Sequence, residues 1–472
     1  MPIYKTPGVV IEEISKFPPS VAAVETAIPA FIGFTENDTD TDGNSLVNTA
    51  VRITSLLEFE QIFGGARIQV FNVDVTQTAT DTTVAYNGSA PVLPAFYLYY
   101  SMQLYFANGG GPCYIITVGD YGTFPPGNFT TAFTGAIGAL EGYDEPTILV
   151  FPDACLGTDG QLGDIVDAAL THCQKMQDRF TIVDVRDAVV GGTDTNADVT
   201  TAFRGEVASD LDLVKYGAAY FPYLRTSLPF YTTDANIIVK SHTGGTALIA
   251  ADTAISDSTV KEDETAVYNA VKAFVSNAAV TLPPSGGVAG VYARTDRTRG
   301  VWKAPANASL LNVSAPAIQI TNDLNDGLNI DATSGKSVNA IRAFTGKGTL
   351  VWGARTLAGN DNENRYVPVR RFLIFAEESI KKAAGQFVFE PNDSGTWIKV
   401  RAMIENFLVL QWRDGALQGA KPEDAFYVSV GLNKTMSAQD ILDGYMIVEI
   451  GLAIVRPAEF IVLRFSQLMA KS

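Results

Sequence analysis

The sequence predicts a mixed α/β fold built on a mainly parallel sheet, and two observations carry that prediction. Between residues 113 and 185, short apolar, β-branched runs alternate with amphipathic stretches of helical length, the spacing that parallel strands need for their crossovers. The composition is that of a folded chain: 472 residues, 47% apolar and 18% charged, room for two to four domains at about 100–200 residues each. Disorder is excluded by that apolar share. Cys113, Cys155 and Cys173 are the 3 cysteines, an odd set without C-x-x-C spacing, so neither a disulfide framework nor a zinc site is expected. They read as small buried residues.

The elements follow in order. Residues 4–14 place Pro7 and Gly8 before a short β-branched run, with Pro18-Pro19 beyond it, which predicts a detached strand on an arm. An apolar strand at 27–34 and an acidic loop at 36–44 come next. Ser55-Leu-Leu-Glu58 is a capping box and Gly64-Gly65 a stop, so a short helix lies between them. Residues 72–91, rich in Thr, Asp, Ala and Asn, read as a flexible surface loop. Pro94 opens a helix that ends at Asn108-Gly109. Phe96, Tyr97, Tyr99, Tyr100, Tyr105 and Phe106 ring it, and a helix aromatic on most sides is buried rather than offered as a stacking platform.

Strands at 113–118, 147–151 and 180–185 then alternate with helices near 130–140 and 162–176. Residues 224–284 read as a peripheral excursion with one helix at 265–277, closed by Pro283-Pro284. The apolar pattern resumes with a strand at 349–352, helices at 369–384 and 397–412, and strands through 445–468. No repeat of fixed period is present, which disfavours a solenoid.

Charge and termini narrow the function. A net charge of −17 and pI ≈ 4.6 repel phosphate backbones, so no direct nucleic-acid contact is expected. Residues 340–472 carry 16 Lys/Arg and 14 Asp/Glu, against 18 and 37 before them. Such asymmetry suggests two regions facing different surroundings. The N-terminus shows no basic stretch leading into an apolar run, so no secretory leader and a cytoplasmic start are expected. The longest apolar segment, 93–107, falls short of the ~20 residues of a bilayer span, and no membrane insertion is expected.

Catalytic groups are sparse. His172 and His242 are the only histidines, and His172 neighbours Cys173, but adjacent helix residues point about 100° apart, which disfavours a dyad. Neither G-x-S-x-G nor H-E-x-x-H occurs. Thr345-Gly-Lys-Gly-Thr lacks the earlier glycine of a phosphate loop, Ile341 standing in its place, and reads as a turn before a strand. Asp38-x-Asp40-x-Asp42-Gly43 matches the opening of an EF-hand loop, but its twelfth position is Thr49, so a solvated loop is expected, with a weak calcium site as the alternative. Asp153 and Asp184 follow apolar strands, at the edge where α/β enzymes bind ligands, and with Asp187 form a possible Mg²⁺ set. An Asp after a strand also caps a helix or fills a turn.

Several stretches in order resemble the contractile tail sheath family, the sheaths of phage tails and contractile injection systems. They are Pro7-Gly-Val-Val-Ile-Glu-Glu-Ile, Val24-Glu-Thr-Ala-Ile-Pro-Ala-Phe-Ile-Gly-Phe-Thr, Ile53-Thr-Ser-Leu-Leu-Glu-Phe-Glu-Gln-Ile-Phe-Gly-Gly and Phe106-Ala-Asn-Gly-Gly-Gly-Pro-Cys-Tyr-Ile. Later come Val288-Ala-Gly-Val-Tyr-Ala-Arg-Thr-Asp-Arg, Arg299-Gly-Val-Trp-Lys-Ala-Pro-Ala-Asn, Gly353-Ala-Arg-Thr, Tyr366-Val-Pro-Val-Arg-Arg, residues 387–392 and Val455-Arg-Pro-Ala-Glu-Phe. Residues of about 68–94 and 232–282 lie outside the pattern.

The resemblance implies a discontinuous polymerisation domain from both chain ends, 1–33 and 335–472, around an outer α/β domain, 34–334. It implies stacked six-membered rings of this chain around an inner tube, with baseplate and tail-terminator proteins as further partners, no cofactor and no enzymatic activity. Assembly would take place in a bacterial cytoplasm, in a phage tail or a released tail-like particle, and the Ser/Pro-flanked arm leans toward injection systems. Strand exchange is the expected mechanism. Val9, Val10, Ile11 and Ile14 would form one inter-subunit arm, and Phe460, Ile461, Val462 and Leu463, set off by Pro457, the other. Lys381, Lys382, Lys399 and Arg401 are expected to face the inner tube. A metal-dependent hydrolase centred on Asp153 and Asp184, and a capsid or surface-layer protein, are the rival readings.

Overall fold

A computed structural model describes residues 21–78, 80–124, 127–186, 196–245 and 249–463, with side chains in the helix opening at Asn196 described from residue 200. The expected arm around Val9, Val10, Ile11 and Ile14, and Asp187, lie outside the described residues. Packing divides the chain into two compact units, with boundaries at Val24/Glu25, Phe375/Ala376 and Val455/Arg456.

The larger unit, 25–375 with 456–463, carries sixteen strands. The first eight are β1 (Pro29–Thr35), β2 (Val51–Ile53), β3 (Phe71–Gln77), β4 (Thr82–Tyr86), β5 (Cys113–Asp120), β6 (Ile148–Val150), β7 (Phe180–Asp184) and β8 (Gly217–Phe221). After them come β9 (Leu224–Pro229), β10 (Ile237–Gly244), β11 (Thr253–Ala254), β12 (Ala279–Leu282), β13 (Ala308–Ser309), β14 (Val313–Pro316), β15 (Val338–Phe344) and β16 (Gly348–Val351). Its helices are α1 (Leu56–Phe63), α2 (Leu98–Ala107), α3 (Phe129–Ala139), α4 (Asp159–Met176), α5 (Asn196–Glu206), α6 (Leu211–Val214), α7 (Thr265–Ser276), α8 (Ser285–Arg299) and α9 (Asn322–Asn329). Helix α10 (Val367–Ala384) runs through the boundary at 375/376. The smaller unit adds α11 (Ser394–Arg413), α12 (Pro422–Ala425), β17 (Phe426–Val430), α13 (Ala438–Leu442) and β18 (Val448–Leu452).

The core of the larger unit is a nine-stranded sheet of order β13-β16-β15-β8-β7-β6-β1-β5-β2. From β15 through β5 every pairing is parallel, and only the edge pairings β2–β5, β15–β16 and β16–β13 are antiparallel. Every residue of β1, β6, β7 and β8 is buried, as central parallel strands covered on both faces should be. The mixed α/β architecture is thus the one the alternation predicts.

Local signals act as expected, with shifts of detail. Ser55 Oγ accepts the Glu58 N–H at 3.2 Å, but the Glu58 carboxylate takes the N–H of Thr54 rather than that of Ser55. Helix α2 starts at Leu98, four residues beyond Pro94, and is buried on most of its surface. Pro283-Pro284 does not close the preceding helix, which ends at Ser276 before β12; Pro284 instead opens α8. Helices α2 and α8 approach closely because α8 offers glycine. A Cβ on Gly286 would lie 2.6 Å from the Ser101 carbonyl oxygen, and one on Gly290 2.6 Å from that of Tyr105.

Two expectations are corrected. Residues 72–86 are not a loop, since β3 and β4 form an antiparallel hairpin with Phe71, Val73 and Val75 buried on one face, and beyond the hairpin 87–91 of the expected loop lack regular structure. The period-two alternation outweighs the Thr/Asp/Asn composition because the buried face has a partner. That partner comes from 224–284, where the sequence predicts one helix and no strands: β10 pairs with β3 in parallel and β11 with β10, giving a four-stranded sheet. Phe71, Tyr86, Phe230 and Phe274 pack beneath it, with the Tyr86 and Phe274 rings 4.6 Å apart. The two stretches outside the sheath-like pattern therefore fold together as one lobe. Strand β15, absent from the sequence reading, joins the core sheet through β8.

In the smaller unit the Asp393 carboxylate caps α11 by accepting the Thr396 N–H at 2.9 Å. Val400, Met403, Ile404 and Phe407 of α11 are buried, as are Val428 and Val430 of β17. β17 and β18 form an isolated antiparallel pair. The strand expected through 445–468 is shorter than predicted, ending at Leu452, and 456–463 form no ladder with any described strand.

Candidate assembly surfaces

The residues nominated for chemistry are occupied by structural work. Asp153 is fully buried, and its carboxylate accepts the N–H of Phe34 at 2.8 Å, of Tyr97 at 2.5 Å and of Leu98 at 3.2 Å. It thereby caps α2, whose own N-cap, Tyr97, supplies no side-chain bond. Gly33 makes room for it, because a Cβ there would lie 2.5 Å from Asp153 Oδ2. Asp184 acts alike on α8, accepting the Ser285 N–H at 2.7 Å. Burial pushes both carboxyls up to about 7, with these hydrogen bonds opposing the shift. Both acids at the strand ends are helix caps reached across the sheet.

His172 and Cys173 are buried on α4, and His172 Nε2 lies 3.2 Å from Nη1 of the fully buried Arg179. Burial, and then the Arg179 charge, lower the His172 pKa to about 4. In the 38–43 loop the Asp40 carboxylate is engaged by the N–H groups of Asp42 and Asn44 and by the Asn44 amide. Residues 345–347 form the β15–β16 turn and Gly348-Thr349 open β16, with Gly346 and Gly348 at φ of 75° and 76°. Among the described residues no cluster of three His, Cys, Asp or Glu is arranged to hold a metal ion, and no helix is long and apolar enough to cross a membrane.

Surfaces fit for assembly lie elsewhere. Two strands alone make a marginal sheet, and β17–β18 leaves an outer edge on each strand without a described partner. In the larger unit, Phe460, Ile461, Val462 and Leu463 are 68–79% exposed in sequence after Pro457. The four nominated cations divide by setting. Lys381 and Lys382 on α10 both pair with Glu378, at 3.1 and 3.6 Å, Arg401 pairs with Glu405 one turn along α11, and Lys399 is exposed on α11.

The sequence reading assigned no role to a second feature, the ion pairs that seat the chain's passages. Arg371 binds Asp296 at 2.6 Å and the Thr26 carbonyl at 2.8 Å, all within the larger unit. Arg355 binds Glu459 at 2.6 Å. Arg355 and Glu459 both stand in quoted motifs, Gly353-Ala-Arg-Thr and Val455-Arg-Pro-Ala-Glu-Phe, which was the available signal.

These features define a class: an α/β body whose buried Asp153 and Asp184 serve as helix caps, with a two-stranded sheet, β17–β18, that has no further described strand and an exposed apolar run at 460–463. Comparison with known proteins gives the family. The phage tail sheath C-terminal domain matches residues 360–467. The chain is 29% identical to the sheath of the PVC extracellular contractile injection system, solved in the contracted state, over 99% of each chain with a TM-score of 0.65. It is 30% identical to a chain of the anti-feeding prophage baseplate structure, over 99% of this chain and 100% of that one, with a TM-score of 0.62. The tail sheath protein of Burkholderia phage BcepMu is 27% identical over 159 residues, so the match spans 33% of this chain and 33% of that curated relative. The chain belongs to the contractile tail sheath family.

Proposed function

We propose that this protein is the sheath subunit of a contractile injection system, polymerising as stacked six-membered rings around an inner tube and contracting to drive that tube through a target envelope. The observation that carries the mechanism is the pairing of an open two-stranded sheet, β17–β18, with a run of exposed apolar residues, Phe460, Ile461, Val462 and Leu463, in the same chain. Such an arm adds to the free edge of a neighbour's sheet, each backbone bond contributing about 0.5–1.5 kcal/mol net. The N-terminal run Val9, Val10, Ile11 and Ile14 is proposed as the second arm. Contacts made by arms survive while bodies turn, so subunits compact as rigid units. The driving free energy is stored in an extended lattice that buries less apolar surface than the contracted one. No cofactor or catalytic step is needed.

The preference for an injection system over a phage tail rests on coverage: the injection-system matches span the whole chain and the phage match a third of it. Inner tube, baseplate and tail-terminator proteins are the proposed partners, with assembly in a bacterial cytoplasm before any release. The outer lobe built from β3, β4, β10 and β11 is assigned to the sheath exterior. Deletion of residues 1–14 tests the arm model. The monomer is expected to keep its melting temperature and to form no hollow tubes by electron microscopy, and normal tubes refute it.

A further inference from the structure

Glu459 sits in a segment without regular secondary structure, yet its carboxylate is among the most heavily bonded of the described residues. Arg355 Nε reaches Oε1 at 3.0 Å and Oε2 at 3.1 Å, and Nη2 reaches Oε2 at 2.6 Å. Asn329 Nδ2 adds a bond to Oε1 at 2.7 Å and the Tyr366 hydroxyl one to Oε2 at 3.1 Å. Arg355 is itself held before it grips: its N–H donates to Asn339 Oδ1 at 2.8 Å, its carbonyl accepts Asn339 Nδ2 at 2.7 Å, and Nη1 donates to the Asn329 carbonyl at 3.1 Å. All these residues belong to the larger unit. One residue beyond the grip, Phe460 begins four consecutive exposed apolar side chains.

We infer that the Arg355–Glu459 clamp fixes the point at which the C-terminal arm leaves its own subunit, presenting residues 460–463 to a sheet edge of a second copy of this chain. The inference rests on the strand-exchange reading and deepens it. Successive strand residues point to opposite faces, so Phe460 and Val462 occupy one face and Ile461 and Leu463 the other. A strand apolar on both faces is stable only where both are covered, and among the described residues neither is, all four side chains being 68–79% exposed. The occupant is therefore an edge on another copy, and the open β17–β18 pair is the edge of matching kind. A bidentate, charge-assisted grip at the arm's root removes the freedom that a loose tail would lose on docking, which strengthens the contact without adding to it.

The test uses full-length protein carrying Glu459→Ala, with Glu459→Gln as the milder variant, and a third chain truncated after Glu459. Thermal melting of the monomer and the critical concentration for tube formation, by sedimentation and electron microscopy, are read for each. The expected result is a melting temperature close to the parent's for Glu459→Gln and a critical concentration raised at least about tenfold for Glu459→Ala, with Glu459→Gln between the two. Should Glu459→Ala fail to fold, Glu459→Gln decides by a smaller rise above the parental value. Parental critical concentrations in the folded variants, with no tubes from the truncated chain, overturn the clamp and leave strand exchange standing. Normal tubes from the truncated chain overturn the C-terminal arm itself.

Discussion

Replacing Asp153 by Ala removes one carboxylate and orphans three buried backbone donors, those of Phe34, Tyr97 and Leu98. A buried N–H left without a partner costs about 1–3 kcal/mol. Three of them amount to roughly 3–6 kcal/mol if water entering the vacated space recovers part of the loss. Against the ~5–15 kcal/mol that holds a folded domain, that is enough to leave a large unfolded fraction. The damage would centre on the start of α2 and its contact with β1, because the three donors belong to those elements. The assay is urea denaturation of the unpolymerised chain followed by circular dichroism, where Asp153→Ala should lower the midpoint without changing the slope. A loss below about 1 kcal/mol would refute the capping role. A stable Asp153→Ala chain that assembles normally while losing a hydrolytic activity would restore the enzyme reading.

The pH dependence of stability follows from the same acids. Asp153 and Asp184 are raised to about 7 by burial, so the folded chain holds their protons more tightly than the unfolded one, and their contribution is whole below about pH 4 and lost as pH rises through 7. Each accounts for up to ~4 kcal/mol at about 1.36 kcal/mol per unit, and Asp184→Asn, with no proton to lose, should flatten the decline between about pH 4 and 7, an unchanged slope counting against it. Gly290→Ala would place a Cβ 2.6 Å from the Tyr105 carbonyl and should cost about 1–3 kcal/mol in denaturant unfolding as α2 and α8 part. The double change Lys399→Glu with Arg401→Glu removes only an exposed cation and the exposed Arg401–Glu405 pair on α11. The monomer should stay within about 1 kcal/mol of the parent while co-sedimentation with the inner tube is lost, and retained tube binding refutes the tube-facing assignment.

Much of the core was legible because its signals are local. The alternation from Cys113 to Asp184, the stop at Gly64 and the aromatic encirclement of α2 each depend on residues a few positions apart, and the folded chain keeps all three. Misreading began where the stabilising partner is remote. Residues 72–91 carry loop composition, and only the pairing of β3 with β10, more than 150 residues later, makes them strands. Asp153 and Asp184 were visible as acids at strand ends, but a helix cap and a metal ligand look the same until the donor is known. Those donors, Tyr97 and Ser285, are 56 and 101 residues away.

Periodicity, turn chemistry and ordered motifs were enough to determine a parallel α/β core and membership of the sheath family. The tertiary structure alone decided which acids are sealed as caps, that two distant inserts share one sheet, and that Glu459 is gripped by Arg355 just before an exposed apolar run. The physical reason is range: backbone propensity and side-chain period act within a turn or a strand, whereas burial and the satisfaction of buried polar groups depend on segments that meet only when the whole chain has folded.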